Sequence, residues 1–228
     1  SYAYAKANAT PTPELEEEED DGWPDIDITE WQYMLVNANH PLEPIEYAPE
    51  TMAYLNMTGD ETDIQTAYNE YRCPVDLRIA QPLVDFARGC KAAGLPVYLS
   101  SGYRSYSEQQ YLFNRKVGQG YSEEVAKTIV AYPGTSEHQL GLGVDIWDKE
   151  RPRLSSYTVM NEEFRTWLEE HACEYGFIQR YPTNKLLRTG WDEPWHYRYL
   201  GVEVATFIKN TGMCYEEFYK HYDPDFNE

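Results

Sequence analysis

The sequence predicts an α+β fold, a small antiparallel sheet with flanking helices, and three observations carry that reading. Apolar residues recur at helical spacing across 77–90 and again across 164–173. Short β-rich runs stand near 97–101, 142–147, 177–181 and 195–200. The strands are mostly consecutive with helices grouped around them, and no internal repeat is visible.

The chain opens with a segment that lacks apolar periodicity. Residues 1–30 hold ten carboxylates against the single Lys6, and Thr and Pro precede the acidic run. Such a stretch cannot bury enough apolar surface to fold, so it is expected to be a disordered spacer, with the folded domain at 31–228. Of the formal net charge of −20, the spacer carries −9. An acidic chain lacks the clustered cations that phosphate recognition needs, which excludes a nucleic-acid binder. No run of 18 apolar residues exists, so no membrane span is expected in the sequence given. No signal peptide is visible either, and the polar start at Ser1 is read as a cut downstream of a signal or anchor. Composition fits a globular domain, and its 21 tyrosines suit a surface that holds a polar ligand.

From Trp31 the pattern changes. Met34 to Val36 reads as a short strand ending at the turn-forming Asn37 to Pro41. Residues 75–93 place Leu77, Ala80, Leu83, Val84, Ala87 and Cys90 on one helical face, with Gly94 and Pro96 closing the segment and Pro82 marking its regular start. A strand at Val97 to Ser101 enters a loop, after which Ser107 is the expected cap of a helix running to Gly118. Another helix is expected from Ser122 to about Val130. In the strand that follows, Leu142, Val144 and Ile146 alternate with Gly143, Asp145 and Trp147, so Asp145 faces away from the aliphatic side. Asn161 to Tyr175 reads as an amphipathic helix stopped by Gly176. Strands at Phe177 to Tyr181 and Trp195 to Leu200 and a helix at Val202 to Lys209 complete the series. The Tyr-rich end from Cys214 is left without an element.

Cys73, Cys90, Cys173 and Cys214 are widely spaced and form no C-x-x-C pair. They disfavour a structural zinc knuckle and allow either two disulfides in an oxidising compartment or four buried thiols.

Of five histidines, two sit in unusual company. His138 stands seven residues before Asp145, and His196 follows Glu193-Pro-Trp. A catalytic zinc takes three protein ligands from His and carboxylate and keeps one position open, a count that His138, Asp145 and His196 meet. Glu193 then remains as a base that is not a ligand, biased toward an extended conformation by Pro194. The helical H-E-x-x-H pattern is absent. Taken singly, His138 and Asp145 read more readily as a hydrogen-bonded surface histidine and an unrelated acid than as a metal site.

Three motifs in order decide more: Ser101-Gly-Tyr-Arg-Ser-Tyr-x-x-Gln109, Ser136-x-His138-x-x-Gly141-x-x-x-Asp145, and Glu193-Pro-Trp-His196-Tyr-Arg-Tyr199. Together they resemble the VanY-type D-alanyl-D-alanine carboxypeptidases over about residues 31–210. The resemblance implies the hedgehog/D,D-peptidase fold, one Zn2+ held by His138, Asp145 and His196, and Glu193 as catalytic base. It implies that Arg104 stabilises the oxyanion, and that Ser136, Gln109 and Tyr103 line the substrate pocket. The bland alternatives are a loop-tying arginine, a turn serine, a solvated helix face for Gln109 and a core position for Tyr103. Arg198 is expected to support the sheet or a carboxylate behind the ligands. In one departure, the family commonly has Ala where Gly143 stands, and the missing methyl is expected to loosen the strand without touching the metal.

The implied partner is a peptidoglycan stem peptide ending in D-alanine, cut on the cell-wall side of the membrane. L,D-carboxypeptidase, endopeptidase and cytoplasmic D,D-dipeptidase activities belong to the same fold, and an inactive binding module is the alternative of another class. Such a module has no chemical need of Glu193.

Overall fold

The computed structural model describes residues 22–58, 64–148 and 160–226. The strands are β1 (Met52–Leu55), β2 (Cys73–Asp76), β3 (Tyr98–Ser101), β4 (Gly143–Trp147), β5 (Phe177–Tyr181) and β6 (Glu193–Tyr199). The helices are α1 (Ala80–Ala92), α2 (Tyr106–Gly118), α3 (Glu123–Ala126), α4 (Glu162–His171), α5 (Leu186–Thr189), α6 (Val202–Thr211) and α7 (Tyr215–Tyr222). β1 and β2 form a two-stranded ladder, while β3-β4-β6-β5 form an antiparallel sheet of four. The architecture is the predicted α+β.

The pleat divides the larger sheet into two chemical faces. Val144 pairs with Tyr197 and Leu99 with Ile146, and these side chains turn to a core built with α1 and α4. Phe86 of α1 lies at its centre, its ring 5.3 to 5.8 Å from those of Tyr175, Phe177 and Tyr197. Asp145 pairs with His196 and Gly143 with Arg198, which puts the chemically active side chains on the opposite face. A second apolar cluster joins Ile178 to Leu200, Val204 and Ile208 around α6 and to Tyr215 and Phe218 of α7.

Several boundaries differ from expectation for identifiable reasons. Met34 to Val36 form no strand; a 3-10 turn at Trp31–Tyr33 leads into irregular chain. The carbonyls of Gln32 and Met34 accept from the Arg198 guanidinium instead of a neighbouring strand. Residues 75–79 are the end of β2 and a 3-10 turn capped by Asp76, so the regular helix starts at Ala80 and Pro82 falls harmlessly in its first turn. Helix α2 is capped by Ser105, not Ser107, because Ser105 and Glu108 form a reciprocal capping box. Ser122 does cap α3, but that helix ends at Ala126. The 161–175 helix closes with a 3-10 turn before Gly176.

The chain end from Cys214 is helical, as α7, and buries Tyr215 and Phe218. The expected spacer lies outside the described residues for 1–21, but residues 22–30 are packed: Trp23 stacks on His221 at 3.8 Å, and Ile26 and Ile28 join the second cluster. All four cysteines are free thiols. The two-disulfide alternative therefore has no support in the structure, and neither does the oxidising compartment inferred from it. Among the described residues, no helix is long and apolar enough to cross a membrane.

Candidate metal centre

Three elements bring the predicted ligands together. His138 lies in a 3-10 turn, Glu137–Leu140, that ends at Gly141 with φ of 70°, a conformation suited to glycine. Asp145 and His196 come from facing positions on β4 and β6. One ligand atom from each of the three lies within 4.8 Å of the others, and among the described residues this is the cluster able to hold a metal.

Hydrogen bonds orient the rings. His138 Nδ1 is 2.7 Å from the Gly102 carbonyl, which can only accept, so Nδ1 carries the hydrogen and Nε2 keeps its lone pair for the cluster. Arg104 N–H in turn donates to the His138 carbonyl at 3.0 Å, clamping the 102–104 loop to the turn. His196 has carboxylates at both nitrogens: Nδ1 is 3.1 Å from Asp145 Oδ1, and Nε2 is 3.3 Å from Glu137 Oε2. His138 Nε2 lies 3.4 Å from the same Asp145 oxygen.

The donor chemistry fits zinc: two imidazole nitrogens and one carboxylate oxygen, all from groups that are buried or nearly so. Burial alone would raise the Asp145 carboxyl, but the neighbouring histidines outweigh it and hold the group well below the usual range. Burial also opposes charge on His196, yet its hydrogen bonds to Asp145 and Glu137 push it up to about 9. His138 is lowered by burial and by Arg104.

The cluster opens on a cavity of about 110 Å3 whose lining includes Arg104, Gln109, Ser136, Glu193, Tyr181 and Trp191. Glu193 starts β6 next to Pro194. There the β5–β6 ladder shifts register between Gln179 and Tyr181, and β4 pairs only from His196 onward, so a residue without N–H is tolerated. Burial pushes the Glu193 carboxyl up to about 7, the level at which a carboxylate both takes and returns protons at neutrality. Arg104 is held by Gln109 Oε1 at 2.9 Å and Ser101 Oγ at 3.4 Å.

Gln109 is buried rather than solvated, and its Nε2 also donates to the Ala131 carbonyl at 2.7 Å. Its amide therefore steadies Arg104 as well as facing the cavity. Ser136 is buried, and its hydroxyl does not cap the turn it precedes. Tyr103 is the predicted site residue that does not line the cavity; it is half-buried, with its N–H on the Pro74 carbonyl.

Two findings lie beyond the sequence expectations. A Cβ built on Gly143 would stand 2.9 Å from His196 Nε2, so a methyl there presses on the imidazole instead of merely filling the strand. Glu137, which sequence reasoning does not single out, is completely buried behind His196 and accepts from Arg180 and Arg198. Its one local signal is its place beside His138, because its arginine partners lie 43 and 61 residues away.

The model of the D-alanyl-D-alanine carboxypeptidase family VanY matches residues 73–202. A D-alanyl-D-alanine carboxypeptidase of Enterococcus faecalis is 38% identical over 201 residues, covering 84% of this chain and 67% of the relative. The crystal structure of the vancomycin-resistance D,D-pentapeptidase VanY from a VanB-type cassette, in complex with Zn(II), is 36% identical with a TM-score of 0.65, covering 83% of this chain and 99% of that one. The LD-carboxypeptidase LdcB aligns at 32% identity with a TM-score of 0.70, covering 82% and 85%.

Proposed function

The chain belongs to the VanY family of D-alanyl-D-alanine carboxypeptidases, and from that premise we propose that it removes the terminal D-alanine of peptidoglycan stem peptides. It is a zinc metallopeptidase, and in our reading His138, Asp145 and His196 are its ligands. The observation that carries the reading is the convergence of those three donor atoms at the mouth of a cavity that also holds Glu193 and Arg104.

Zinc, when bound, supplies Lewis acidity that polarises the scissile carbonyl and acidifies water. Glu193 takes the proton of the attacking water and returns it to the leaving amine; its burial keeps the carboxyl near the pKa that both steps need. Arg104, already pre-positioned by Gln109, donates to the oxygen that gains charge as the carbonyl becomes tetrahedral. Ser136 and the remaining capacity of Gln109 hydrogen-bond the terminal residue, with Trp191 and Tyr181 forming the wall. A second hollow of about 180 Å3 shares Ala131, Thr135 and Trp191 with the first and gives the upstream part of the peptide a path. Tyr103 stands outside the cavity and in this reading makes no contact with the substrate. The spacer from the cell surface is confined in this reading to the residues before 22, since residues 22–30 pack on the domain, and the enzyme works on the cell-wall side of the membrane.

The similarity to an LD-carboxypeptidase at a TM-score of 0.70 favours one second reading, removal of D-alanine from tetrapeptide stems. Incubating the zinc-loaded protein with a pentapeptide stem, a tetrapeptide stem and free D-Ala-D-Ala, followed by mass analysis, separates the readings. The proposal expects loss of one alanine from the pentapeptide, whereas cleavage of the tetrapeptide alone would transfer the assignment to the second reading.

A further inference from the structure

Behind the ligand cluster lies a set of charges with no route to solvent. Arg180 on β5, Arg198 on β6 and Glu137 in the 3-10 turn have fully buried side chains, and Glu216 of α7 is nearly so. Burying four charges is costly unless each is paired and hydrogen-bonded. Here the pairing is asymmetric in an informative way.

The two oxygens of Glu137 have different partners. Oε1 accepts from both arginines, Arg180 Nε at 2.8 Å and Arg198 Nη1 at 2.8 Å. Oε2 faces His196 Nε2 at 3.3 Å. Arg180 turns its other nitrogens to Glu216, and Arg198 gives its remaining donors to the carbonyls of Gln32, Met34 and Tyr199. The arginines are thus satisfied without Oε2, so charge compensation alone does not account for where that oxygen points. Gly143 leaves open the space in which ring and carboxylate meet, since a Cβ there would come 2.9 Å from His196 Nε2 and 3.5 Å from Glu137 Cβ.

We propose that Glu137 is a positioning residue for the metal, its carboxylate pinned by Arg180 and Arg198 so that it takes the Nε2–H of His196 and fixes the ring with Nδ1 turned toward Asp145 and His138. An imidazole has two nitrogens, and the one that carries hydrogen is set by its outer partner. Pinning the carboxylate from two strands denies it the rotation that would release the ring. Through Glu216 the same Arg180 also anchors α7, an element about eighty residues from Glu137 in sequence. The inference rests on His196 being a zinc ligand.

The test compares zinc affinity by chelator competition, and the absorption bands of the Co(II)-substituted protein, across five proteins: wild type, Glu137→Asp, Glu137→Gln, Glu216→Gln and His196→Ala. Glu137→Asp keeps the charge that the arginines require but withdraws the oxygens by one methylene. It is expected to bind zinc about 10- to 100-fold more weakly, with shifted Co(II) bands, and Glu137→Gln at least as weakly. Glu216→Gln loosens the same network without touching His196, so it should lower the melting temperature while leaving zinc affinity and the Co(II) spectrum as in wild type. Wild-type zinc affinity and spectrum in Glu137→Asp would overturn the proposal. Unchanged affinity in His196→Ala would instead overturn the ligand assignment beneath it. Long-range 15N–1H spectra of the zinc-loaded wild type need no variant: a proton on His196 Nε2 with none on Nδ1 is expected, and the reverse also refutes the role given to Glu137.

Discussion

Asp145 and His196 stand directly opposite each other on β4 and β6, with the imidazole Nδ1 3.1 Å from the carboxylate Oδ1. The register that creates this pair is fixed from the other side of the sheet, where Val144 and Tyr197 are paired and fully buried. A slip of one residue would turn the ligand on the shifted strand into the apolar core, so the geometry of the site inherits the stability of the sheet. His138 joins them from a turn clamped by the Gly102 carbonyl and the Arg104 N–H.

Metal removal should therefore cost stability as well as activity. With free zinc at about a thousand times its Kd, binding stabilises the native state by ~4 kcal/mol. Scanning calorimetry of chelated and zinc-reloaded protein should show a lower melting temperature without zinc that recovers on reloading. Identical transitions in the two samples would mean that the cluster does not hold the ion.

Replacing Arg104 by Ala should reduce kcat by about 10²–10³ with a smaller change in KM, because the guanidinium acts on charge that appears only in the transition state. Gln109→Ala should give a weaker version of the same defect, since it frees the guanidinium without removing it. Steady-state kinetics on a pentapeptide stem read both. A pure KM effect in Arg104→Ala would reassign it to ground-state binding.

Gly143→Ala adds a methyl that meets the imidazole edge of His196 at 2.9 Å. The ring must yield by a few tenths of an ångström, and overpacking of this kind costs about 1–3 kcal/mol. Part of that cost should appear as weaker zinc retention in a chelator titration, and a variant with lowered melting temperature but wild-type retention would place the strain elsewhere.

Much of the centre is legible in the sequence because its parts travel in short motifs. His138 and Asp145 sit within one turn-and-strand segment, Glu193 and His196 within another, and alternation across Leu142 to Trp147 already turns Asp145 away from the core. What stays hidden depends on distant contacts. Arg180 and Glu216 look like ordinary surface charges until the fold buries them, whereas Arg198 does meet its expectation of supporting a carboxylate behind the ligands, which proves to be Glu137. Gln109 is placed in the pocket by the family resemblance alone, because its helix position by itself fits a solvated face equally and reveals neither Arg104 nor the Ala131 carbonyl as its partners. Trp23 belongs by composition to the acidic segment, yet it packs on α7 from the far end of the chain. Helix α7 itself lacks an obvious signal, since its buried face is made of Tyr215, Glu216 and Phe218, a mixture that hydrophobic periodicity alone does not flag.

The role of Glu193 tests the account most directly, because the carboxyl lies in the cavity beside the cluster without being one of its three donors. The measurement is the rate of D-alanine release from a pentapeptide stem by wild type and Glu193→Gln at equal zinc occupancy. Loss of the base predicts a fall of about 10²–10⁴ in kcat with zinc still bound. Release within about twofold of wild type, too small for removal of a general base, would contradict it.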